Sequence, residues 1–233
     1  MKIELKELHA QMELKPITLL FGRNGSGKTA VLRELRSQGL ATSPVPTCGE
    51  WMARHAAGIS EGLRTLTGHT LAESFGEVLV VDPQTGARMK PEDAGYCVRC
   101  ALPLVAELWE AVGGSPRKPD HWTILEYPET RLHPAAQVEL GDLFISAAHG
   151  GGKYIMETHS EHLLLRLLRR IGETTMGNLP DNKYPLRPDD ISVNYVFRRD
   201  GGIIVRNLPV DSEGEFLEQW PEGFFYERMG ELI

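Results

Sequence analysis

Apolar and polar positions alternate over short stretches of the chain and recur at helical spacing over longer ones. Residues 2–6 alternate between charged and apolar side chains, which is typical of a half-exposed strand, and the run PITLLFG at 16–22 predicts a buried strand that stops at glycine. The next segment, GKTAVLRELRSQG, places Val31, Leu32 and Leu35 on one helical face. A strand followed directly by a helix is therefore predicted near the N-terminus.

The same two periods continue along the chain. Apolar residues at helical spacing predict four further helices, at 50–64, 101–112, 133–150 and 161–172. Extended apolar runs predict strands before Glu126 and at 152–160, and hairpins at 76–90 and 191–210. Because strand and helix alternate from 16 to 172, we expect an α/β fold: a mainly parallel sheet flanked by helices, with antiparallel strands at the N-terminus and a C-terminal hairpin.

Length and composition fit one soluble unit. The 233 residues suffice for a single α/β domain over 1–233, and no apolar run approaches the length of a membrane span. The N-terminal stretch lacks the apolar centre of a secretory signal, so a cytoplasmic protein without a membrane partner is expected. A net charge of −7 argues against a chain that holds nucleic acid alone through a broad basic surface.

Three cysteines are too few for a disulfide framework. Cys97 and Cys100 form a C-x-x-C pair, but a zinc site needs two more ligands, and only Cys48 and scattered histidines are available. The favoured interpretation is the start of a helix that carries two half-buried thiols.

The strongest chemical signal is GRNGSGKT at 22–29, which satisfies the phosphate-loop pattern G-x-x-x-x-G-K-S/T between a predicted strand and a predicted helix. Backbone N–H groups of such a loop, together with the helix N-terminus, point at phosphate oxygens. Lys28 would bridge the β- and γ-phosphates, and the Thr29 hydroxyl would bind Mg²⁺. The nucleotide-binding positions expected here are Asn24, Gly25, Ser26, Gly27, Lys28 and Thr29.

A second signal is TILEYPETRLHP at 123–134. Glu126 ends an apolar run, where an acid at a strand tip would complete the Mg²⁺ ligand shell, usually through water. Glu129 follows three positions later, after a proline. The alternative for Glu126 is an ordinary surface acid at a strand end.

Together, the segments GRNGSGKT, LEYPETRLHP and METHSEHLL resemble the ABC-class P-loop ATPase heads of the RecF, SMC and OLD type. The segments GYCVRCALPL at 95–104 and WPEGFF at 220–225 look similar to an uncharacterised group of bacterial ATPases near the OLD branch. The resemblance implies ATP and Mg²⁺ as ligands, and it implies that Glu126 is the metal-side carboxylate. It further implies that His159 senses the γ-phosphate.

The chain departs from this pattern at two places. Tyr127 follows Glu126 where the family commonly has glutamate, glutamine or asparagine, and a phenol is a poor general base at pH 7. Glu129 is then the candidate that activates water. At the signature that contacts the partner head, Cys97 and Arg99 stand where small residues and serine are expected, so Arg99 is either part of a degenerate signature or an arginine finger. Gln84 lies in a predicted turn and is not a convincing lid glutamine.

The resemblance implies an ATP-binding, ATP-hydrolysing head that dimerises on nucleotide or assembles with a separately encoded effector protein. A role in DNA maintenance or anti-phage defence follows from relatives of this type, with DNA reached through the partner. A minimal head without a long coiled-coil arm and without a nuclease domain is expected. The alternative is a catalytically impaired nucleotide-binding module that acts as a structural subunit. A kinase or GTPase is disfavoured, because no N-K-x-D guanine-reading segment is present.

Overall fold

A computed structural model of the protein describes residues 1–40, 50–74, 76–113 and 121–221. Its strands are β1 Lys2–Leu5, β2 Ala10–Glu13, β3 Ile17–Phe21, β4 Thr70–Ser74, β5 Glu77–Val81, β6 Arg88–Met89, β7 Thr123–Glu126, β8 Tyr154–Glu157, β9 Ile191–Arg199 and β10 Gly202–Asn207. Its α-helices are α1 Lys28–Ser37, α2 Glu50–Thr67, α3 Tyr96–Gly113, α4 Pro134–His149 and α5 Glu161–Met176. Cys48 and the end of the WPEGFF segment lie outside the described residues.

The central sheet has five strands in the order β10-β9-β3-β8-β7. Strands β9, β3, β8 and β7 run parallel, and β10 closes one edge as the antiparallel arm of a hairpin with β9. The α/β prediction with a mainly parallel sheet is therefore confirmed. Parallel strands end at the same edge of the sheet, and the register places Glu157 of β8 beside both Leu20 of β3 and Glu126 of β7. This edge is where ligands bind in open α/β sheets.

Both faces of the sheet are covered by other elements, and the side chains of β3 pack alternately into the two cores. Ile17, Leu19 and Phe21 pack into the larger core, which helices α2 to α5 build on one face. Leu20 points to the opposite face and packs in the smaller core with α1 and the β1–β2 hairpin. Successive strand residues alternate between faces, and every residue of β3 is buried, so the strand is covered on both sides. The loop after β3 is therefore anchored from two directions.

The predicted antiparallel strands at the N-terminus are confirmed as β1 and β2, although the bounds of β2 were not predicted. Other elements differ from the sequence prediction. Strand β4 was not predicted, and it joins the predicted 76–90 hairpin to make a three-stranded antiparallel sheet. Helix α3 begins at Tyr96 and continues through Pro103. Helix α5 continues past Gly172 to Met176. Gly172 is thus not a helix stop but an interior position, where a Cβ would lie 2.7 Å from the Glu213 carbonyl oxygen. In the described part of the chain no helix has the length and apolarity needed to span a bilayer.

Candidate functional site

The loop at 22–29 joins β3 to α1 and passes close to the β9–β10 hairpin. Gly22 has φ +147°, and a Cβ there would lie 2.2 Å from the Val196 carbonyl oxygen. Gly27 has φ +112° and caps α1, and a Cβ there would lie 2.5 Å from Ile203 Cδ1. Only glycine tolerates both the backbone conformation and these approaches. The two glycines thus allow the loop to fold tightly over the N-terminus of α1, the arrangement that binds phosphate.

Lys28 lies at the centre of this loop and is only 3% exposed. Its Nζ donates to the carbonyl oxygens of Gly22 at 2.8 Å and Arg23 at 3.1 Å, and it lies 3.6 Å from Glu157 Oε1. Burial lowers the pKa of Lys28, and the neighbouring Glu157 carboxylate opposes that shift. The ammonium group is therefore held inside the loop by oxygen atoms that a phosphate group could replace.

Tyr127 and Glu157 link strands β7 and β8 at the sheet edge. The Tyr127 hydroxyl donates to Glu157 Oε1 at 2.6 Å, and the Tyr127 N–H donates to the Glu157 carbonyl oxygen at 2.8 Å. Burial and the Glu157 carboxylate raise the pKa of Tyr127, so the phenol stays protonated at neutral pH. Tyr127 is thus a hydrogen-bond donor here and cannot serve as a general base.

Glu129 and His159 connect the two segments that follow β7 and β8. The His159 backbone N–H donates to Glu129 Oε1 at 2.9 Å, and the imidazole stacks on the Tyr127 ring with centroids 5.4 Å apart. Burial lowers the pKa of His159, and the nearby positive charge of Lys28 lowers it further. The ring is therefore neutral at pH 7 and can donate or accept a hydrogen bond.

The LHP segment after Glu129 starts α4. His133 is the N-cap residue, and its Nδ1 accepts a hydrogen bond from the Ala135 N–H at 3.2 Å. Pro134 occupies the first helical position, where its missing N–H costs nothing. Ser160 caps α5 in the same way by accepting from Leu163 N–H at 3.0 Å. Two capped helices thus begin directly after the site and fix the segments that carry Glu129 and His159.

The remaining predicted site residues are more exposed. Asn24, Gly25 and Thr29 are exposed, and Thr29 lies in the first turn of α1. Glu126 ends β7 as predicted, but its carboxylate pairs with Arg36 Nη2 at 2.7 Å rather than with Lys28. The structure therefore brings Lys28, Tyr127, Glu129, Glu157 and His159 together and leaves Glu126 in a surface ion pair.

The sequence prediction did not include Glu157. The signal was present, because METHS puts a carboxylate inside a run that predicts a buried strand.

Three buried oxygens at this site have no hydrogen-bond partner: Ser26 Oγ, Glu129 Oε2 and Glu157 Oε2. Leaving a buried polar atom unpaired costs about 1–3 kcal/mol. Their concentration at the phosphate loop indicates a site that a polar ligand completes.

The signature region lies at the N-terminus of α3. Tyr96 is 55% exposed, and the guanidinium groups of Arg99 and Arg131 each lie 5.4 Å from its ring centroid.

Cys97 and Cys100 are half-buried free thiols, as predicted. Across the described residues no group of three or more His, Cys, Asp or Glu side chains is arranged to hold a metal. Gln84 lies in an exposed turn, in agreement with its interpretation as a surface residue.

Two family models match the chain. Residues 57–164 match an AAA ATPase domain, a segment that includes Glu126, Glu129, Glu157 and His159. Residues 186–233 match a family described as a protein of unknown function, DUF3696. The second match covers the β9–β10 hairpin and the C-terminal segment.

Solved structures give the fold. The SMC head domain from Thermotoga maritima superposes with a TM-score of 0.52 at 10% identity, over 86% of this chain and 94% of that one. An SmcHead bound to the C-winged helix domain of ScpA gives a TM-score of 0.43 at 14% identity, over 67% of this chain and 44% of that one.

One curated relative, linamarin synthase 1 from Manihot esculenta, is 35% identical over 77 residues. That stretch is 33% of this chain and only 15% of the relative. The short stretch carries no inference about activity. The sheet order and the glycine-rich loop that encloses Lys28 agree with the ATPase match over residues 57–164 and with the SMC-head superposition, and the chain has a P-loop NTPase fold.

Proposed function

We propose that this chain binds ATP with Mg²⁺ at the loop 22–29 and hydrolyses it. The observation that carries the proposal is the burial of Lys28 among two backbone carbonyls and the Glu157 carboxylate, at the N-terminus of α1. A buried ammonium group in a glycine-rich loop is the group that contacts the terminal phosphates in P-loop proteins. Phosphate oxygens would replace the carbonyl oxygens as acceptors of its protons.

Mg²⁺ fits the donors near this loop. The ion prefers oxygen ligands and keeps several waters, so one or two protein oxygens and the substrate phosphates are sufficient. Thr29 is exposed at the loop, and the Glu126 side chain is 39% exposed in its pair with Arg36. An exposed ion pair is worth about 0–1 kcal/mol, so Glu126 can exchange its partner at little cost. Mg²⁺ bound there would neutralise charge on the phosphate oxygens.

Replacing Thr29 by valine tests this site. We expect the Mg²⁺ concentration for half-maximal ATP turnover to rise about tenfold, because one oxygen ligand is lost while the side-chain shape is kept. The matched control is Thr65→Val, which removes a hydroxyl from the exposed face of α2. Steady-state turnover measured over a Mg²⁺ titration gives the result. Equal Mg²⁺ requirements in the two variants would contradict the role of Thr29.

His159 and Glu129 would act as the part of the site that responds to the γ-phosphate. The neutral imidazole can contact a phosphate oxygen or orient the attacking water, and it loses that contact when phosphate leaves. The hydrogen bond from the His159 N–H to Glu129 joins the segment after β8, which carries His159, to the turn after β7. Glu129 either receives the proton of the water or holds this segment in place.

We further propose that ATP promotes pairing of two heads, or assembly with an effector protein that works in DNA maintenance or defence against phage. The exposed Tyr96 ring between Arg99 and Arg131 supports this, because Tyr and Arg are the residues that dominate binding at protein interfaces. Arg99 would reach the phosphate held by the partner head.

Light scattering tests the pairing. With a non-hydrolysable ATP analogue the mass of the wild-type protein should double, and Arg99→Ala should raise the protein concentration needed for pairing about tenfold, since an interface arginine is worth upward of 1 kcal/mol. Arg64→Ala is the control, because Arg64 forms an exposed ion pair with Glu61 on α2. A monomer at all protein concentrations, with nucleotide and with candidate partners, would contradict the proposal.

A second candidate function is a nucleotide-binding module without hydrolysis. The observation in its favour is Tyr127, a protonated phenol at the position after the metal-side acid. Tight ATP binding without turnover under every condition tested would support this alternative over the first.

A further inference from the structure

Glu157 is a buried carboxylate to which no sequence pattern assigned a role. It ends β8 and is 1% exposed. Its Oε1 accepts the Tyr127 hydroxyl and lies 3.6 Å from Lys28 Nζ, while its Oε2 has no hydrogen-bond partner. A buried carboxylate with an unpaired oxygen is costly, even when a lysine partly balances its charge. The open acceptor therefore indicates that a donor, such as water, bonds to it when the site is filled.

Glu157 places a carboxylate at the sheet edge next to the end of β7, where Tyr127 occupies the position expected to hold a water-positioning residue. Glu126 and Glu157 are paired in register at the ends of neighbouring strands, and Tyr127 directly follows Glu126. The Tyr127 backbone has φ +51°, an uncommon conformation for a residue other than glycine. In this conformation the phenol reaches across to β8 and holds Glu157 Oε1. A carboxylate from the adjacent strand therefore contacts Tyr127, the residue found where glutamate, glutamine or asparagine was expected.

We propose that Glu157 is the catalytic carboxylate of ATP hydrolysis and that Tyr127 positions it; this inference rests on the proposed function. In the step, the water oxygen bonds to the γ-phosphorus, and the bond from that phosphorus to the bridging oxygen breaks. The electron pair of the broken bond stays on ADP, and the proton of the water passes to Glu157 Oε2. Tyr127 keeps its proton and fixes the orientation of the carboxylate through Oε1.

Glu129 is the competing carboxylate, and its contacts differ. One oxygen of Glu129 accepts the His159 backbone N–H, and the other is also unpaired. Glu157 has the Lys28 ammonium group at 3.6 Å, next to where the terminal phosphate would be held. Glu129 thus positions the segment that carries His159, whereas Glu157 faces the group that binds phosphate.

Turnover of two glutamine variants separates these roles. We expect Glu157→Gln to lower kcat at least about 100-fold without raising KM for ATP, because the amide keeps the shape but cannot accept the proton. Glu129→Gln should lower kcat by a smaller factor. A kcat for Glu157→Gln near that of the wild type, with Glu129→Gln inactive, would overturn the proposal and leave ATP hydrolysis itself standing.

Nucleotide affinity gives a readout that does not depend on turnover. Glu157→Gln removes the negative charge beside Lys28. This variant should bind a non-hydrolysable, fluorescent ATP analogue about tenfold more tightly than the wild type, because the charge would lie near the γ-phosphate. Its affinity for ADP should rise by a smaller factor. An unchanged ratio of the two affinities would overturn the placement of Glu157 even if the wild type binds without hydrolysing. Failure of the wild type to bind either nucleotide would instead refute the proposed function.

A rescue variant distinguishes a catalytic carboxylate from a structural one. In the Glu157→Gln background, Tyr127→Glu returns an acid to the position after Glu126. We expect this double variant to recover at least about tenfold in kcat, since a positioned base contributes about 100-fold or more. If Glu157 had only a structural role, kcat would not recover in the double variant. That result would contradict the proposal that Glu157 acts as the catalytic carboxylate in place of a residue at position 127.

Discussion

Lys28→Ala is expected to abolish ATP binding, with a loss of affinity of at least about 100-fold. Each hydrogen bond to a charged group is worth about 1.5–3 kcal/mol, and the ammonium group would make more than one such bond to the phosphates. Lys28 is buried inside the loop and within 3.6 Å of Glu157. Titration with a fluorescent ATP analogue measures the loss.

The control must separate lost binding from lost folding. Lys28→Ala leaves the Glu157 carboxylate buried without its counter-charge, which destabilises the fold. The double variant Lys28→Ala with Glu157→Ala removes both charges, so it should regain stability in urea unfolding and still fail to bind ATP. Lys6→Ala changes an exposed lysine in the turn after β1 and should bind like the wild type. Binding by the folded double variant with wild-type affinity would contradict the role of Lys28.

The parts of the site that the sequence predicted are local. The strand, the glycine-rich loop and α1 are consecutive, and each has its own pattern, so their juxtaposition follows from chain order. The end of β7 at Glu126 was also predicted correctly, and the strand predicted at 152–160 contains β8, which ends at Glu157. Parallel strands end at a common edge of the sheet. For the same reason Glu126, Glu129 and His159 could be assigned to one region before any coordinates were known.

The partners of those side chains were not predictable, because they depend on long-range packing. Tyr127 bonds to Glu157, which is 30 positions away, and Glu126 pairs with Arg36, which is 90 positions away. No local period encodes such contacts. The bounds of β2 and the whole of β4 were not predicted, because these strands contain few apolar residues and form through pairing with their neighbours. Tertiary context thus overrides weak strand propensity at both places.

Arg170→Met is expected to lower the free energy of unfolding by about 3–5 kcal/mol, the usual cost of removing one partner of a buried ion pair. Arg170 is 3% exposed on α5. Its Nε and Nη2 donate to the two Asp142 oxygens at 2.8 and 2.9 Å, and Nη1 donates to Glu173. Methionine keeps most of the aliphatic volume, so the loss reports the ion pair rather than a cavity. Urea unfolding followed by circular dichroism measures it.

Arg169 provides the matched control on the same helix. Its side chain is 69% exposed and pairs with Glu173 across one turn of α5. Such exposed pairs contribute about 0.3–0.5 kcal/mol, so Arg169→Met should unfold close to the wild-type urea midpoint. Equal losses of stability in Arg169→Met and Arg170→Met would show that the buried network between α4 and α5 does not stabilise the fold in the way its geometry indicates.

The pH dependence of this difference reports the carboxylates that pair with Arg170, which are Asp142 and Glu173. Burial acts to raise the pKa of Asp142, but hydrogen bonds from Arg170 and Lys183 outweigh it, and the net pKa is lowered. Asp142 therefore binds a proton more readily in the unfolded state than in the folded state. Its contribution to the free energy of unfolding is complete above the unfolded pKa of about 3.9, and it is lost as pH falls through the pKa of Asp142 in the folded state. The gap in unfolding free energy between wild type and Arg170→Met should be constant from pH 5 to 7 and should narrow below about pH 4. A gap that stays unchanged down to pH 2 would exclude Asp142 as the source of the stabilisation.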